Sequence, residues 1–471
     1  MTPRQILILT LTLLVAGCAL PVKREPPDFA APASWSETLA TDSATVDSTW
    51  WQAFNSNELE ELVATTLRGS PDLRMATERV LQADIALRSS RSSLFPAGSI
   101  TMNTASGRDY FSDGTEASTE SSRAGLAINY EIDVWGSNFA AWQGDKASFA
   151  ATRHDYAATR LSLIAAVANA YWQVLSTRER LTIARRNLEI AERLFTIVEA
   201  RYRFGTASAL DLSRQRTTVM AQRDALLPLE VQERQNLRAL ALLVGAIPQQ
   251  FEVDADHLDA IIVPEIAPVL PGELLVRRPD IAAAEERLQA AHANIAVARA
   301  ALFPLKLNLG LSSLISSGEF ALAGLGSPLH SADLVLDLTR ALFDGGRLRG
   351  QLQIRESERR ALVESWRKTV LVALKEVEDA LAVVQRSRRQ EQTQRQIRDE
   401  TARALHLSEL RYKEGSDSLT TLLDAQRSLF AVEEQLMQQK LTRLTAAVDL
   451  YKALGGGWEL PPAVPQPEEA P

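Results

Sequence analysis

From Asp145 to Phe204 the chain carries neither glycine nor proline, a run of 60 residues, and from Gln351 to Glu414 it again carries neither, over 64. Unbroken helices of that length would reach roughly 90–100 Å at 1.5 Å per residue. Helices of globular domains rarely exceed about 25 residues, so these runs belong to coiled coils or helical barrels. Their apolar and small residues form a wide stripe (Leu161, Ile164, Ala165, Ala168, Tyr171, Trp172, Leu175), suited to contact on both flanks, as in helices packed side by side around a cylinder. Arg386, Arg388, Gln390, Glu391, Gln394 and Arg398 supply water-facing surface. A long exposed coiled coil without a lumen stays open on this pattern alone. Gly205 and Gly415 suit helix ends that turn the chain back, and Pro228 is expected to kink the return helix.

The two long runs belong to an internal duplication. Ser70-Pro71-Asp72-Leu73 and Leu94-Phe95-Pro96 recur as Arg278-Pro279-Asp280-Ile281 and Leu302-Phe303-Pro304, with the prolines 25 residues apart in both copies. Arg201-Tyr202-Arg203-Phe204-Gly205 recurs as Arg411-Tyr412-Lys413-Glu414-Gly415, and Leu243-Val244-Gly245 as Ala453-Leu454-Gly455. Matches in order at a nearly constant offset indicate two copies of one programme. Each reads as a helix of about 25 residues opening at Pro-Asp, two strands, a very long helix, a turn and a return helix. The expected boundaries are 50–247 for the first repeat, 248–271 for a Pro-rich link, 272–457 for the second repeat and 458–471 for a Pro-rich tail.

The strand segments alternate. Leu305, Leu307, Leu309 and Leu311 interleave with polar or small residues, as do Leu126, Ile128, Tyr130, Ile132 and Val134; Leu334, Leu336 and Leu338 do the same, and Ile100 and Met102 more weakly. Period two with one apolar face means a sheet with one oily side. It would suit a half-buried soluble sandwich, or a barrel wall with lipid on one side and water on the other. The residues from Ser106 to Arg123 and from Ser316 to Ser331 read as long polar loops, and Ser118–Ser122 as loop. Four strands cannot close a barrel, and open edges in lipid leave backbone groups unpaired. Three chains would give a twelve-stranded wall with quasi-sixfold symmetry.

The N-terminus sets the compartment. Arg4 precedes an apolar run from Ile6 to Val15, too short for a permanent span and fitting a signal peptide over 1–17. It ends in Val15-Ala16-Gly17-Cys18, which resembles a bacterial lipobox, so Cys18 is expected to carry a covalent lipid and become the mature N-terminus. The following residue is Ala19, not the Asp that resembles an inner-membrane retention signal. Residues 18–49, rich in Pro, Ala, Ser, Thr and Asp, read as an extended lead from the anchor.

Composition excludes other classes. A net charge of −8, from 59 acidic against 51 basic residues, argues against nucleic-acid binding. The single cysteine excludes an intrachain disulfide, and the five histidines (154, 257, 292, 330, 406) form no ligand pair. There is no Gly-x-Ser-x-Gly, phosphate loop or metal cluster, so no enzyme and no cofactor are expected.

Together with the lipobox and the duplicated helix–strand–strand–helix–helix units, several motifs resemble the TolC-like outer membrane factor family in its NodT-type lipoprotein branch. These are Trp50-Trp51-Gln52-Ala53-Phe54, Tyr130-Glu131-Ile132-Asp133-Val134-Trp135-Gly136, Leu342-Phe343-Asp344-Gly345-Gly346-Arg347, Arg411-Tyr412-Lys413-Glu414-Gly415, Leu422-Leu423-Asp424-Ala425-Gln426-Arg427-Ser428-Leu429 and Leu450-Tyr451-Lys452-Ala453-Leu454-Gly455-Gly456-Gly457-Trp458. The resemblance implies a mixed α+β fold. A homotrimer would form a long α-helical barrel reaching into the periplasm and a transmembrane β-barrel in outer-membrane lipid, with four strands per chain. It implies a passive exit duct of a tripartite efflux or secretion system, working with a periplasmic adaptor and an inner-membrane pump. A structural lipoprotein or adhesin with a coiled-coil stalk is the alternative.

The resemblance also implies a periplasmic gate. Family members hold the tip shut with a Tyr before the turn and an Asp and an Arg after it, and the matching positions are Tyr412, Asp424 and Arg427. Asp424 and Arg427 are three apart, hence on one helix face. Asp211 follows the first-repeat turn and is a candidate acceptor for Arg427 or Tyr412. The first repeat has Arg214 and Thr217 at the positions of the pair, so the two tips are unlike. The family's constricting Leu position is Thr420 here, with Leu419 beside it, a departure from the family's apolar seal.

Overall fold

In the computed structural model of the protein, residues 29–37, 47–258, 261–266, 270–303, 305–317, 329–338 and 344–458 are described. The signal segment, Cys18, most of the N-terminal lead, Pro304, the Leu342-Phe343 half of one motif and residues 459–471 lie outside them. A 3-10 turn (Trp50–Phe54) precedes α1 (Asn57–Gly69), α2 (Pro71–Ser92), β1 (Ala97–Tyr110), β2 (Glu116–Ile132), α3 (Ser137–Arg203) and α4 (Ala209–Val244). Then follow α5 (Pro271–Arg277), α6 (Pro279–Ala300), β3 (Leu305–Ser317), β4 (Leu329–Leu338), α7 (Arg347–Lys413) and α8 (Leu419–Ala453).

Two compact units cut across the sequence copies. One gathers Arg79–Thr152 and Ala283–Arg367; the other gathers Phe29–Glu78, Arg153–Ala282 and the chain from Lys368 on.

The first unit holds one antiparallel sheet in the order β1-β2-β3-β4. Its register stacks the apolar alternation of neighbouring strands: Ile100 pairs with Leu126, Ile128 with Leu311, and Tyr130 with Leu309. The opposite parity carries polar and small residues, with Asn129 facing Gly310 and Ser312 facing Ser331, their hydroxyls 2.7 Å apart. The apolar side is open, with Ile100 76%, Leu126 58% and Ile128 47% exposed. Among the described residues β1 and β4 are the end strands, each paired on one side only.

The Ser106–Arg123 segment is not a long loop: both strands continue through it, and only residues 111–115 turn. Phe111 N–H donates to the Thr115 carbonyl at 3.0 Å, Gly114 takes φ +85°, and Asp113 accepts from the Thr115 N–H and hydroxyl. Ser118–Ser122 therefore lies inside β2. These residues lack an apolar face, so period two was invisible in them.

The helices α3 and α7 each run for 67 residues. Both start earlier than the glycine-free runs, because Gly144 and Gly350 lie inside them. Gly144 lies close against α6: a Cβ there would make a tight contact, 3.2 Å from the Ala293 Cβ. Asp133 caps the start of α3 by accepting from the Phe139 N–H at 2.8 Å. Pro228 sits within α4 without ending it. The short helices begin at Pro71 and Pro279 themselves, where the missing N–H costs nothing.

The second unit is helical. The whole predicted stripe from Leu161 to Leu175 on α3 is buried. Trp50 stacks on Tyr451 with centroids 5.2 Å apart, and Phe54 packs on Trp172 at 5.5 Å. The connector between the copies is strapped to this core by charges. Arg178 donates to the Val253 and Ala255 carbonyls and to Glu233; Glu58 accepts from the N–H groups of Asp254 and Ala255; Glu179 accepts from the Leu258 N–H. At the end of the second copy, Arg278 binds Asp280, Glu376 and the Ala453 carbonyl, and Trp458 Nε1 donates to the Arg277 carbonyl at 2.7 Å.

Four helix ends carry one cap. After α3, Gly205 N–H donates to the Tyr202 carbonyl and Thr206 N–H to that of Arg201; after α7, Gly415 and Ser416 do the same to Tyr412 and Arg411. Gly245–Ala246 and Gly455–Gly456 repeat this Schellman pattern after α4 and α8, and all four first glycines have positive φ.

Among the described residues no helix is long and apolar enough to cross a membrane.

Candidate gate at the helix turns

Both reversing turns lie in the helical unit. The first joins α3 to α4 through residues 204–208, the second α7 to α8 through 414–418. Each return helix starts on a serine. Ser208 and Asp211 form a reciprocal capping box; Ser418 accepts from the Thr421 N–H.

Tyr412, one residue before the end of α7, is 4% exposed. It packs with Leu194, Val198, Leu405, Leu419, Leu422, Leu423 and Leu429 into one apolar cluster. Arg201 of α3 covers it: the guanidinium carbon lies 4.6 Å from the ring centroid, and Nη1 donates to the Tyr412 carbonyl. Burial pushes the Tyr412 phenol above its ordinary value; the Arg201 charge opposes this and the Asp211 charge adds to it. The first-repeat counterpart, Tyr202, is 43% exposed. The two turns are chemically unlike.

The other anticipated residues separate into two groups. Leu419 is buried in the cluster, while Thr420 is exposed. Asp424 and Arg427 are exposed and 3.9 Å apart. Asp211 is engaged within its own turn, accepting from the Ser208 N–H at 3.0 Å and hydroxyl at 2.8 Å. The structure thus brings Tyr412 to Leu419 and Asp424 to Arg427. Cys18 lies outside the described residues.

Several participants were not singled out in the sequence. Arg201 is one, although its place in the repeated Arg-Tyr pair was visible. Asp417 is another: the Ser418 N–H, the Thr421 hydroxyl and Arg411, 3.6 Å away, hold its carboxyl below the ordinary value. Glu409 is buried and takes Lys413 at 3.0 Å and Arg193 at 3.4 Å. No catalytic array accompanies these groups, and among the described residues no cluster of three or more His, Cys, Asp or Glu could hold a metal ion.

The outer membrane efflux protein family matches the chain twice, over residues 62–246 and 270–456. The chain belongs to that family. The efflux protein is 38% identical to the pyoverdine export outer membrane protein OpmQ of Pseudomonas putida, over 97% of this chain and 98% of that one. It is 31% identical to the toluene efflux pump outer membrane protein TtgC of the same species, over 97% and 96%. Among solved structures it resembles the outer-membrane channel OprN, at 27% identity and a TM-score of 0.81, covering 93% of this chain and all of that one. It also resembles the open state of the Neisseria gonorrhoeae MtrE outer membrane channel, at 27% identity and 0.82, covering 92% and 97%. The TolC-like resemblance and the mixed α+β architecture expected from sequence hold. The efflux protein is a passive exit duct of the outer membrane serving a tripartite pump, not an enzyme.

Proposed function

We propose that three copies of this chain close one barrel in outer-membrane lipid, that the helical part stands in the periplasm, and that the turns after α3 and α7 form its gate. The observation that carries this reading is the sheet, with an exposed apolar face and two end strands each paired on one side only. Unpaired backbone edges in hydrocarbon cost several kcal/mol per group, so neighbours must cover them. A periplasmic adaptor and an inner-membrane pump dock from the other side and supply the energy.

In this reading Tyr412 is held by Arg201 and the Leu419 cluster, Asp211 caps its own turn, and the exposed Asp424, Arg427 and Thr420 face neighbouring chains. With Leu419 committed to the cluster, Thr420 is the residue at the constriction, and the tip closes on polar contacts. Each exposed pair contributes about 0–1 kcal/mol, so closure rests on several of them repeated by symmetry. A partner that binds the open tip better shifts the balance.

Cys18 carries the lipid anchor. One acyl signal is not what retains a closed barrel, so Cys18→Ala should lose lipid labelling yet keep the barrel in the membrane. Mass spectrometry of the mature N-terminus decides this; an unmodified residue other than Cys18 removes the anchor. The duct itself is tested by single-channel conductance of purified protein in a bilayer. Tyr412→Phe with Arg427→Ser should raise conductance, and Arg388→Ser should not; wild-type conductance in the double variant would move the closure elsewhere.

A further inference from the structure

Leu419, Gln426, Glu433 and Lys440 fall seven residues apart on α8, along one stripe of the helix. Their polar members are satisfied unequally. Farthest from the turn, Lys440 pairs with Glu179 of α3 at 3.3 Å, both nearly buried. One heptad nearer, Asn187 of α3 holds the Glu433 carboxyl, but Glu433 Oε2 and Asn187 Oδ1 have no partner. Nearest the turn, Gln426 is 1% exposed, and neither its Nε2 nor its Oε1 has a partner.

Gln426 lies between Leu422 and Leu429 on the face that enters the Tyr412 cluster. Its burial is complete within one chain, so a neighbouring copy cannot reach the amide. Turning the amide over exchanges one unpaired atom for another. On α4, Gln215 is fully buried at the same end and is half satisfied: its Nε2 donates to the Ala191 carbonyl at 2.9 Å, and only its Oε1 lacks a partner. A buried amide without partners is unfavourable, whereas an apolar group of the same shape there loses nothing. Polar residues at core positions of helix seams fix register at a cost in stability.

We propose that Gln426 is a positioning residue that biases the gate toward opening: its unpaired amide, sealed among leucines, opposes the closed packing of α8 and is relieved when the first turns of that helix lift away. The Lys440–Glu179 pair holds the far end of the seam in register. This rests on the reading of the turns as the gate.

The test compares Gln426→Leu, Gln426→Met and Gln426→Glu as purified full-length protein in bilayers. The apolar variants should lower the basal open probability about tenfold and raise the melting temperature, while Glu, equal in size but charged, should raise the open probability. A merely structural glutamine would give the same sign for all three. Unchanged or increased opening in the Leu and Met variants at wild-type yield overturns the proposal. Should a variant assemble poorly, hydrogen exchange of the unmodified protein decides. Amides of Leu422–Leu429 should exchange faster than those around Lys440, and equal protection overturns it. If Tyr412→Phe with Arg427→Ser leaves conductance unchanged, the gate reading fails; the melting shift and the exchange gradient still report on Gln426.

Discussion

The Arg201 guanidinium lies over the Tyr412 ring at 4.6 Å and donates to the carbonyl of the same residue, so the last turn of α3 grips the last turn of α7 through one side chain. A cation over an aromatic ring contributes about 0.5–2 kcal/mol, and a charged hydrogen bond about 1.5–3. Arg201→Ala should therefore weaken the packing of α3 on α7 by about 2 kcal/mol per chain. Conductance and sensitivity to large antibiotics should rise, and Arg201→Lys, which cannot stack its charge as a plane, should rescue only partly. Tyr412→Phe alone should do little, because the ring and the carbonyl are what Arg201 uses.

The sheet register yields a paired test. Leu309→Lys or Ile128→Lys places a charge on the open apolar face and should cost about 2–4 kcal/mol near the bilayer midplane. Asn308→Lys and Asn129→Lys fall on the opposite parity and should be tolerated far better. Heat-resistant oligomer yield in the membrane fraction reads the difference; equal yields would remove the face assignment.

Two carboxyls on the helices, Glu391 buried and Glu433 half-buried, should pull stability in opposite directions with pH. Burial alone would raise Glu391, but Arg443 at 2.9 Å and Arg395 outweigh it and hold the group below 4.5. Its contribution is present above the ordinary value and is lost as pH falls through the depressed one. Glu433 is pushed above 4.5 by burial, against Arg186, Asn187 and Arg398. The stability tied to its protonated form is complete below 4.5 and lost as pH rises through the elevated value. Melting at neutral pH should improve for Glu433→Gln and fall by about 2 kcal/mol for Arg443→Ala, with the latter penalty shrinking in acid.

Glycines that look alike in sequence should respond differently. Gly455 has φ +91° and a Cβ there would collide with the Arg277 carbonyl, so Gly455→Ala should abolish stable assembly. Gly350 lies inside α7 with open space around it, and Gly350→Ala should gain about 1 kcal/mol of helix stability. Thermal denaturation of both variants checks the pair.

Much of this architecture was legible because periodicity and punctuation are local. The stripe from Leu161 to Leu175 and the alternation from Leu126 to Ile132 announce their periods outright, and Gly205 and Gly415 mark their caps. The Ser106–Arg123 segment failed because strands with two polar-looking faces carry no alternation, and Gly144 failed because a glycine packed close against Ala293 reads locally as a helix breaker. At the turns, Tyr412, Asp424 and Arg427 could be named from motifs. The hold of Arg201 on Tyr412 and the burial of Leu419 depend on residues more than 200 positions apart meeting across helices, which no local pattern encodes.

The end strands β1 and β4 carry a genetic consequence. Where neighbours complete one another's walls, a defective copy does not sit idle beside good ones; it is built into shared assemblies and spoils them. Alleles damaged at the turns but intact in the sheet should therefore be dominant in merodiploid cells, whereas alleles damaged in the sheet edges, being excluded from assembly, should be recessive.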